Sequence, residues 1–140
     1  MSTSKADEPR IIELPRIYDP RGNLTFIQNG DPALPFDIAR AFWTYDIPAG
    51  AVRGSHAHRR GHELIVPVSG CCDVVLSDGR RELTFTLNRP FRGLYIPPMH
   101  WLTINNFASG TVYVALTSNL YDEADYIRDY EEFLTLTHPQ

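Results

Sequence analysis

The residues best suited to chemistry lie between Gly50 and Gly70, in GAVRGSHAHRRGHELIVPVSG, which holds three of the chain's five histidines. Side chains two apart on a strand share a face, so His56 and His58 point the same way. Gly61 marks a turn, and Glu63 opens the apolar run Leu64-Ile65-Val66. If that run returns beside the histidine strand, Glu63 faces both imidazoles. Two imidazoles and a carboxylate converging from a hairpin serve either as metal ligands or as a general-base cluster. Histidine suits proton transfer because its ordinary pKa lies near neutrality, and His58, further from the Gly50 turn, is the expected base. Such a cluster is costly in a core unless its members pair, which favours a site over packing. His62, beside Glu63, would point the other way and reads as a surface residue.

Short strands separated by turn chemistry must position these groups. Ile11 to Leu14 is a strand candidate stopped by Pro15, and Asp19 to Asn23 is a turn in which proline presets φ and glycine accepts φ > 0. Leu24 to Gln28 reads as a strand, and Ile38 to Ile47 as a longer one with Trp43 and Tyr45 on one face. After the histidine hairpin come Cys72 to Leu76, a Ser77-Asp78-Gly79 turn, the alternating Glu82 to Leu87, Gly93 to Ile96, Trp101 to Ile104 and Thr111 to Leu116. Asp122 to Leu134 is acidic and aromatic and is expected to form a helical turn or two. The pattern predicts an all-β sandwich or barrel with a short C-terminal helical segment.

A chain of 140 residues is one domain's worth; residues 10–140 are expected to form it, after a disordered tail over residues 1–9. A net charge of -4 gives no electrostatic case for nucleic acid or an anionic membrane. No apolar run reaches the roughly 18 residues of a membrane span, and the first nine residues lack the apolar region of a signal peptide. Cys71 and Cys72, the only cysteines, would face opposite ways on a strand and do not make a disulfide framework. The expected setting is the cytoplasm.

The spacing from Gly50 to Gly70 resembles the first motif of the cupins: Gly50, five residues, His56-x-His58, four residues, Glu63, six residues, Gly70. The resemblance implies a jelly-roll β-barrel. The second cupin motif is present only in degraded form, from Gly93 to His100, and His100 could complete a set of three histidines and one carboxylate.

Three stretches narrow the likeness: Asp19-x-Arg21-Gly22-x-Leu24, Arg53-Gly54-Ser55-His56-Ala57-His58, and Tyr121-Asp122-Glu123-Ala124-Asp125-Tyr126-Ile127-Arg128-Asp129-Tyr130. Together they resemble the WxcM-like sugar 3,4-ketoisomerases. That family's activity is to move the ketone of dTDP-4-keto-6-deoxyglucose from C4 to C3, in the biosynthesis of unusual deoxysugars for surface glycans such as lipopolysaccharide or S-layers. The resemblance implies catalysis without a cofactor or metal. It also implies a homodimer that exchanges N-terminal strands, with His56 and His58 as catalytic residues and Tyr45 as the active-site tyrosine. Arg53 carries over from the RGxHAH stretch. Two positions depart from the family's pattern: Glu63 stands where glutamine is frequent, and His100 precedes Trp101 where a histidine often follows that tryptophan. Both changes lean toward a metal cupin.

For the substrate, Arg21, Arg53, Arg59, Arg60 and Arg92 are the cations suited to a diphosphate, with Arg59 and Arg60 expected as a solvated pair on the turn. Trp43 could stack on the base, Glu63 and His100 are further substrate-binding candidates, and Glu63 could also orient His58 or His56 and raise its basicity. The segment from Tyr121 to Tyr130 is expected to cover the barrel rather than touch substrate. The alternatives are a metal-dependent cupin enzyme, such as a dioxygenase or a sugar isomerase, and a sugar-nucleotide-binding cupin without turnover.

Overall fold

The computed structural model describes residues 8–138. Twelve strands are found among them: β1 (Arg10–Glu13), β2 (Arg16–Ile17), β3 (Leu24–Thr25), β4 (Arg40–Thr44), β5 (Arg53–His58), β6 (Glu63–Ser69), β7 (Cys72–Ser77), β8 (Glu82–Leu87), β9 (Arg92–Ile96), β10 (Trp101–Asn105), β11 (Val112–Thr117) and β12 (Tyr126–Ile127). A 3₁₀ turn, Glu123–Asp125, precedes β12, and helix α1 (Tyr130–Thr137) follows it. The strands form two five-stranded sheets, ordered β1-β9-β6-β11-β4 and β12-β5-β10-β7-β8, with a small β2–β3 ribbon. Every recorded pairing is antiparallel. This is the all-β cupin jelly roll expected from the turn-punctuated sequence.

The period of two along each strand divides the apolar residues between three packing layers. Ile65, Val74, Leu76, Leu94, Ile96, Leu102, Ile104 and Ala115 fill the space between the sheets. Leu64, Val66, Tyr95 and Leu116 point out of the first sheet and are covered by Leu34, Phe36 and Ile38 from the segment before β4. Both faces of β6 are therefore packed, which explains its unbroken apolar run. Outside the second sheet, Ala57 and Ile127 pack with Phe133 of α1. Asp129 caps that helix, accepting a hydrogen bond from the Glu131 N–H at 3.0 Å.

Several sequence expectations differ in extent. The strand from Leu24 shrinks to two residues, because Phe26 and Ile27 leave the ribbon to line a groove. The C-terminal segment is not simply helical: Tyr126 and Ile127 pair as a strand with His58 and Ala57 before α1 begins. The tail expected over residues 1–9 lies outside the described residues except for Glu8 and Pro9. Those two line a small hollow with His100. No helix among the described residues is long and apolar enough to cross a membrane.

Candidate active site

Strand β5 brings the histidines in. It pairs with β10 in a register that matches Leu102 to His56 and Thr103 to Gly54, leaving Ser55 as an extra residue. Gly54 and Ser55 both take left-handed backbone, at φ 83° and 60°. This is a β-bulge, a device that re-aims the side chains following it. Gly54 is required there: a Cβ would lie 2.9 Å from the Leu102 carbonyl oxygen and 2.8 Å from its Cδ1. Beyond the bulge His56 and His58 face the barrel interior, and Ala57 between them packs outward under α1.

Strand β6 returns from the other sheet with Glu63 pointing inward, on the same face as Ile65. His58 and Glu63 are buried, at 6 % and 4 % exposure. Glu63 Oε1 lies 3.6 Å from His58 Nε2. On its other side, His58 Nδ1 lies 3.3 Å from Asp125 Oδ2. Two buried polar atoms have no partner: His56 Nδ1 and Glu63 Oε1. Burial lowers the pKa of His56 from its ordinary value and so favours the neutral imidazole, opposed by the Glu63 carboxylate and by the Gly54 backbone and reinforced by His58.

A cavity of about 350 Å³ opens onto this cluster. His56 and Glu63 line it, with Arg53, Tyr113, Tyr126 and Arg128 as further polar groups and Phe42, Leu102 and Ile104 among its apolar walls. His58 lies behind this lining. Tyr126 sits opposite His58 in the β12–β5 register, and its ring centroid lies 5.0 Å from that of His56 and 4.5 Å from that of His58. The Arg128 guanidinium lies 4.4 Å from the Tyr126 ring centroid and is held by both carboxylate oxygens of Glu123. Arg53 forms no ion pair among the described residues and faces the same cavity.

Ligand atoms from His56, His58 and Glu63 all lie within 4.8 Å of one another. Two imidazoles and a carboxylate, with two of their buried atoms unpartnered, fit a first-row divalent ion. His100 is not among them. Its Nδ1–H donates to the Pro98 carbonyl at 3.0 Å, and its ring faces the hollow with Asp78 and Arg81.

The structure brings together His56, His58, Glu63 and Arg53 and leaves the other sequence candidates apart. Trp43 and Tyr45 are 61 % and 62 % exposed. Trp43 stands opposite Val114 and Phe42 opposite Ala115, so Phe42 takes the inward face of β4 and the odd-numbered residues point out. Trp43, by that register, and Tyr45, by its exposure, stand apart from this cavity, whose lining includes neither. Arg21 is exposed and bound to Asp19 in the β2–β3 loop, away from the cavity lining. Arg59 pairs with Glu132 and Arg92 with Glu13, both at the surface. His62 is no loose surface residue: Tyr95 hydroxyl lies 2.7 Å from its Nδ1 and Phe36 stacks on its ring. Asp125, Tyr126 and Arg128 lie in the Tyr121 to Tyr130 stretch expected only to cover the barrel; that expectation is corrected, since Tyr126 and Arg128 line the cavity. Their signal was the alternation in Asp125-Tyr126-Ile127-Arg128, polar about a lone apolar residue, which is a strand pattern.

Comparison with known proteins agrees with this geometry. The profile of the family described as FdtA: WxcM-like, C-terminal matches residues 7–138. A TDP-4-oxo-6-deoxy-alpha-D-glucose-3,4-oxoisomerase from Aneurinibacillus thermoaerophilus is 37 % identical over 126 residues, 90 % of each chain. Among solved structures, a 3,4-ketoisomerase from Helicobacter canadensis superposes with a TM-score of 0.89 at 36 % identity, covering 93 % of this chain and 97 % of its own. A variant of the 3,4-ketoisomerase QdtA from Thermoanaerobacterium thermosaccharolyticum, solved in complex with TDP-4-keto-6-deoxyglucose, gives 0.88 at 32 % identity, covering 92 % and 93 %. With its RGxHAH strand on one wall of a jelly roll and its YDExDYIRxY segment paired against it, the chain belongs to the WxcM-like family of sugar 3,4-ketoisomerases.

Proposed function

We infer that the chain moves the ketone of a TDP-4-keto-6-deoxyhexose from C4 to C3, and that His56 and Glu63 carry the proton transfers. The observation behind this reading is the pair of unpartnered buried atoms, His56 Nδ1 and Glu63 Oε1, beside one cavity. Buried polar atoms left unmatched in a folded protein point to something that completes them.

The reaction needs two kinds of proton movement. The C4 ketone acidifies the C3 hydrogen, and a base must take it. His56 is the base: burial favours its neutral form, and it lines the cavity while His58 lies behind the lining. The resulting enediolate carries charge on O4. The second movement is between oxygens: Glu63, with His58 behind it, takes the O3 proton and delivers it to O4. His56 then returns its proton to C4, leaving a C3 ketone and a C4 hydroxyl. Protons and electrons balance within the substrate, C3 being oxidised and C4 reduced. Tyr126 replaces Tyr45 as the tyrosine of the site, since it lines the cavity against both imidazoles. Arg53 and Arg128 are the cations facing the cavity, suited to a diphosphate. His56, His58 and Glu63 would hold a metal if one were bound, and it would supply polarisation of a carbonyl. The proton-transfer reading keeps the imidazole of His56 free.

The site is set in a homodimer that exchanges N-terminal strands, in the cytoplasm, where the two free cysteines stay reduced. The product enters deoxysugar synthesis for surface glycans. The reaction is tested by incubating the protein with TDP-4-keto-6-deoxyglucose in deuterated water and following C3 and C4 by NMR. A 3-keto product with exchange at these carbons is expected. Binding without exchange at either carbon or product formation would instead favour a sugar-nucleotide-binding protein.

A further inference from the structure

Asp125 sits outside the cavity lining and has no part in the proton transfers above, yet the hairpin turn after β5 is built around it. Its side chain is buried, at 1 % exposure. Oδ1 accepts the Arg60 N–H at 2.8 Å; Oδ2 accepts the Gly61 N–H at 3.1 Å and the Asn119 side-chain amide at 3.3 Å. Its own carbonyl accepts the Arg59 N–H at 2.8 Å. A Cβ at position 61 would lie 2.8 Å from Oδ2, so the turn closes on the carboxylate only with glycine there. The fourth neighbour of that carboxylate is His58 Nδ1, at 3.3 Å.

We propose that Asp125 is the positioning residue of this site: it fixes the ring and the tautomer of His58, so that Nδ1 carries a proton and Nε2 is presented to Glu63. The inference rests on the ketoisomerase reading for its catalytic consequence and on geometry alone for the tautomer. An ionised carboxylate only accepts hydrogen bonds. Oδ2 already takes two donors, so it is held in place and cannot turn away from the imidazole. The contact at 3.3 Å is therefore a hydrogen bond only with the proton on Nδ1. Nε2, bare in that tautomer, then faces Glu63 Oε1 at 3.6 Å without a hydrogen bond between them. It is placed to take on a proton that Glu63 has accepted, so the line from Asp125 through His58 to Glu63 reaches the cavity. The C-terminal segment contributes to catalysis through this one side chain as well as through packing.

The tautomer is read directly. Full-length protein labelled with ¹⁵N histidine, without ligand, gives separate Nδ1 and Nε2 signals, and His58→Asn identifies those of His58. A proton on Nδ1 of His58 is expected. A bare Nδ1 overturns the proposal, whatever the activity turns out to be. Asp125→Asn is the second arm. Its amide removes the charge and, whichever way it turns, gives up one of the oxygens that accept from Arg60, Gly61 and Asn119, so the hold on His58 Nδ1 and its tautomer is lost. Loss of the right tautomer in a comparable carboxylate–histidine pair costs up to about 10⁴ in kcat. Here kcat is expected to fall by about 10²-fold or more with KM little changed, because Asp125 does not line the cavity. Wild-type kcat in Asp125→Asn also overturns the proposal. If that variant does not fold, the wild-type ¹⁵N measurement still decides. If wild-type protein turns over no ketosugar, the ketoisomerase reading fails while the tautomer result stands on its own.

Discussion

At the scale of single residues, His56 and His58 occupy one face of one strand and differ in everything else. His56 is among the residues lining the cavity and its buried Nδ1 has no hydrogen-bond partner, whereas His58 is sealed between two carboxylates. The sequence favours His58 as base because it lies further from the Gly50 turn; the proposed reading prefers His56, because His58 is not among the residues lining the cavity. His56→Asn is expected to lower kcat by about 10²-fold or more and to abolish solvent exchange at C3, the usual scale for a lost base. His58→Asn should slow turnover while leaving measurable exchange, because the base remains. Equal, near-wild-type rates in both variants would sink the assignment. Glu63 bears on the metal question. It completes a three-ligand cluster that could hold an ion, and the proposed chemistry requires none. Protein assayed in EDTA, with its metal content measured, should keep its rate; one tightly held ion per chain and loss of activity on its removal would move the function to a metal-dependent isomerase.

At the scale of elements, the aim of the histidines is set by a backbone irregularity. The Gly54–Ser55 bulge makes the strand break step just before His56. Gly54→Ala would force a Cβ against the Leu102 carbonyl and put alanine in left-handed backbone, which costs roughly 1–2 kcal/mol before the clash. A fall in melting temperature of about 3 °C or more is expected. Turnover should drop by up to about 10²-fold as His56 shifts, and a variant with unchanged melting and rate would show that the bulge is dispensable. This element also marks how far the sequence could be read. The His56-x-His58 and Glu63 spacing carried the site because a period of two and a turn at Gly61 are local facts. The inward face of β4 was not local: whether Trp43 or Phe42 points in depends on pairing with β11. Tyr126 and Arg128 were missed because their segment is short, acidic and followed by a helix, and only pairing with β5 makes it a strand. His100 follows two prolines, and the turn they form aims it at another hollow.

At the scale of the whole molecule, the described residues leave the outer face of the first sheet partly uncovered. A groove of about 720 Å³ runs over it, lined by Leu14, Phe26, Ile27, Val66, Val68 and Val114 among others. Beside it the N-terminal ribbon and its loop leave Ile17, Tyr18 and Leu24 more than half exposed. Contiguous apolar surface of this kind marks an interface in a folded protein. The occupant we assign is a second copy of the chain, since a ribbon that is apolar where it meets solvent and a groove that is apolar where it lacks cover are complementary halves of one two-fold contact. Arg21, at the tip of that ribbon and away from this chain's cavity, would then be carried toward the partner. Light scattering at micromolar concentration should give twice the 15.9 kDa of the chain. Val68→Asp places a carboxylate in the groove at a residue already 47 % exposed, so the isolated barrel has little reason to unfold. The variant should become monomeric with its melting transition still cooperative. Wild-type protein that is monomeric at that concentration would refute the assignment, as would a dimer of Val68→Asp that resists dilution as well as the wild type does.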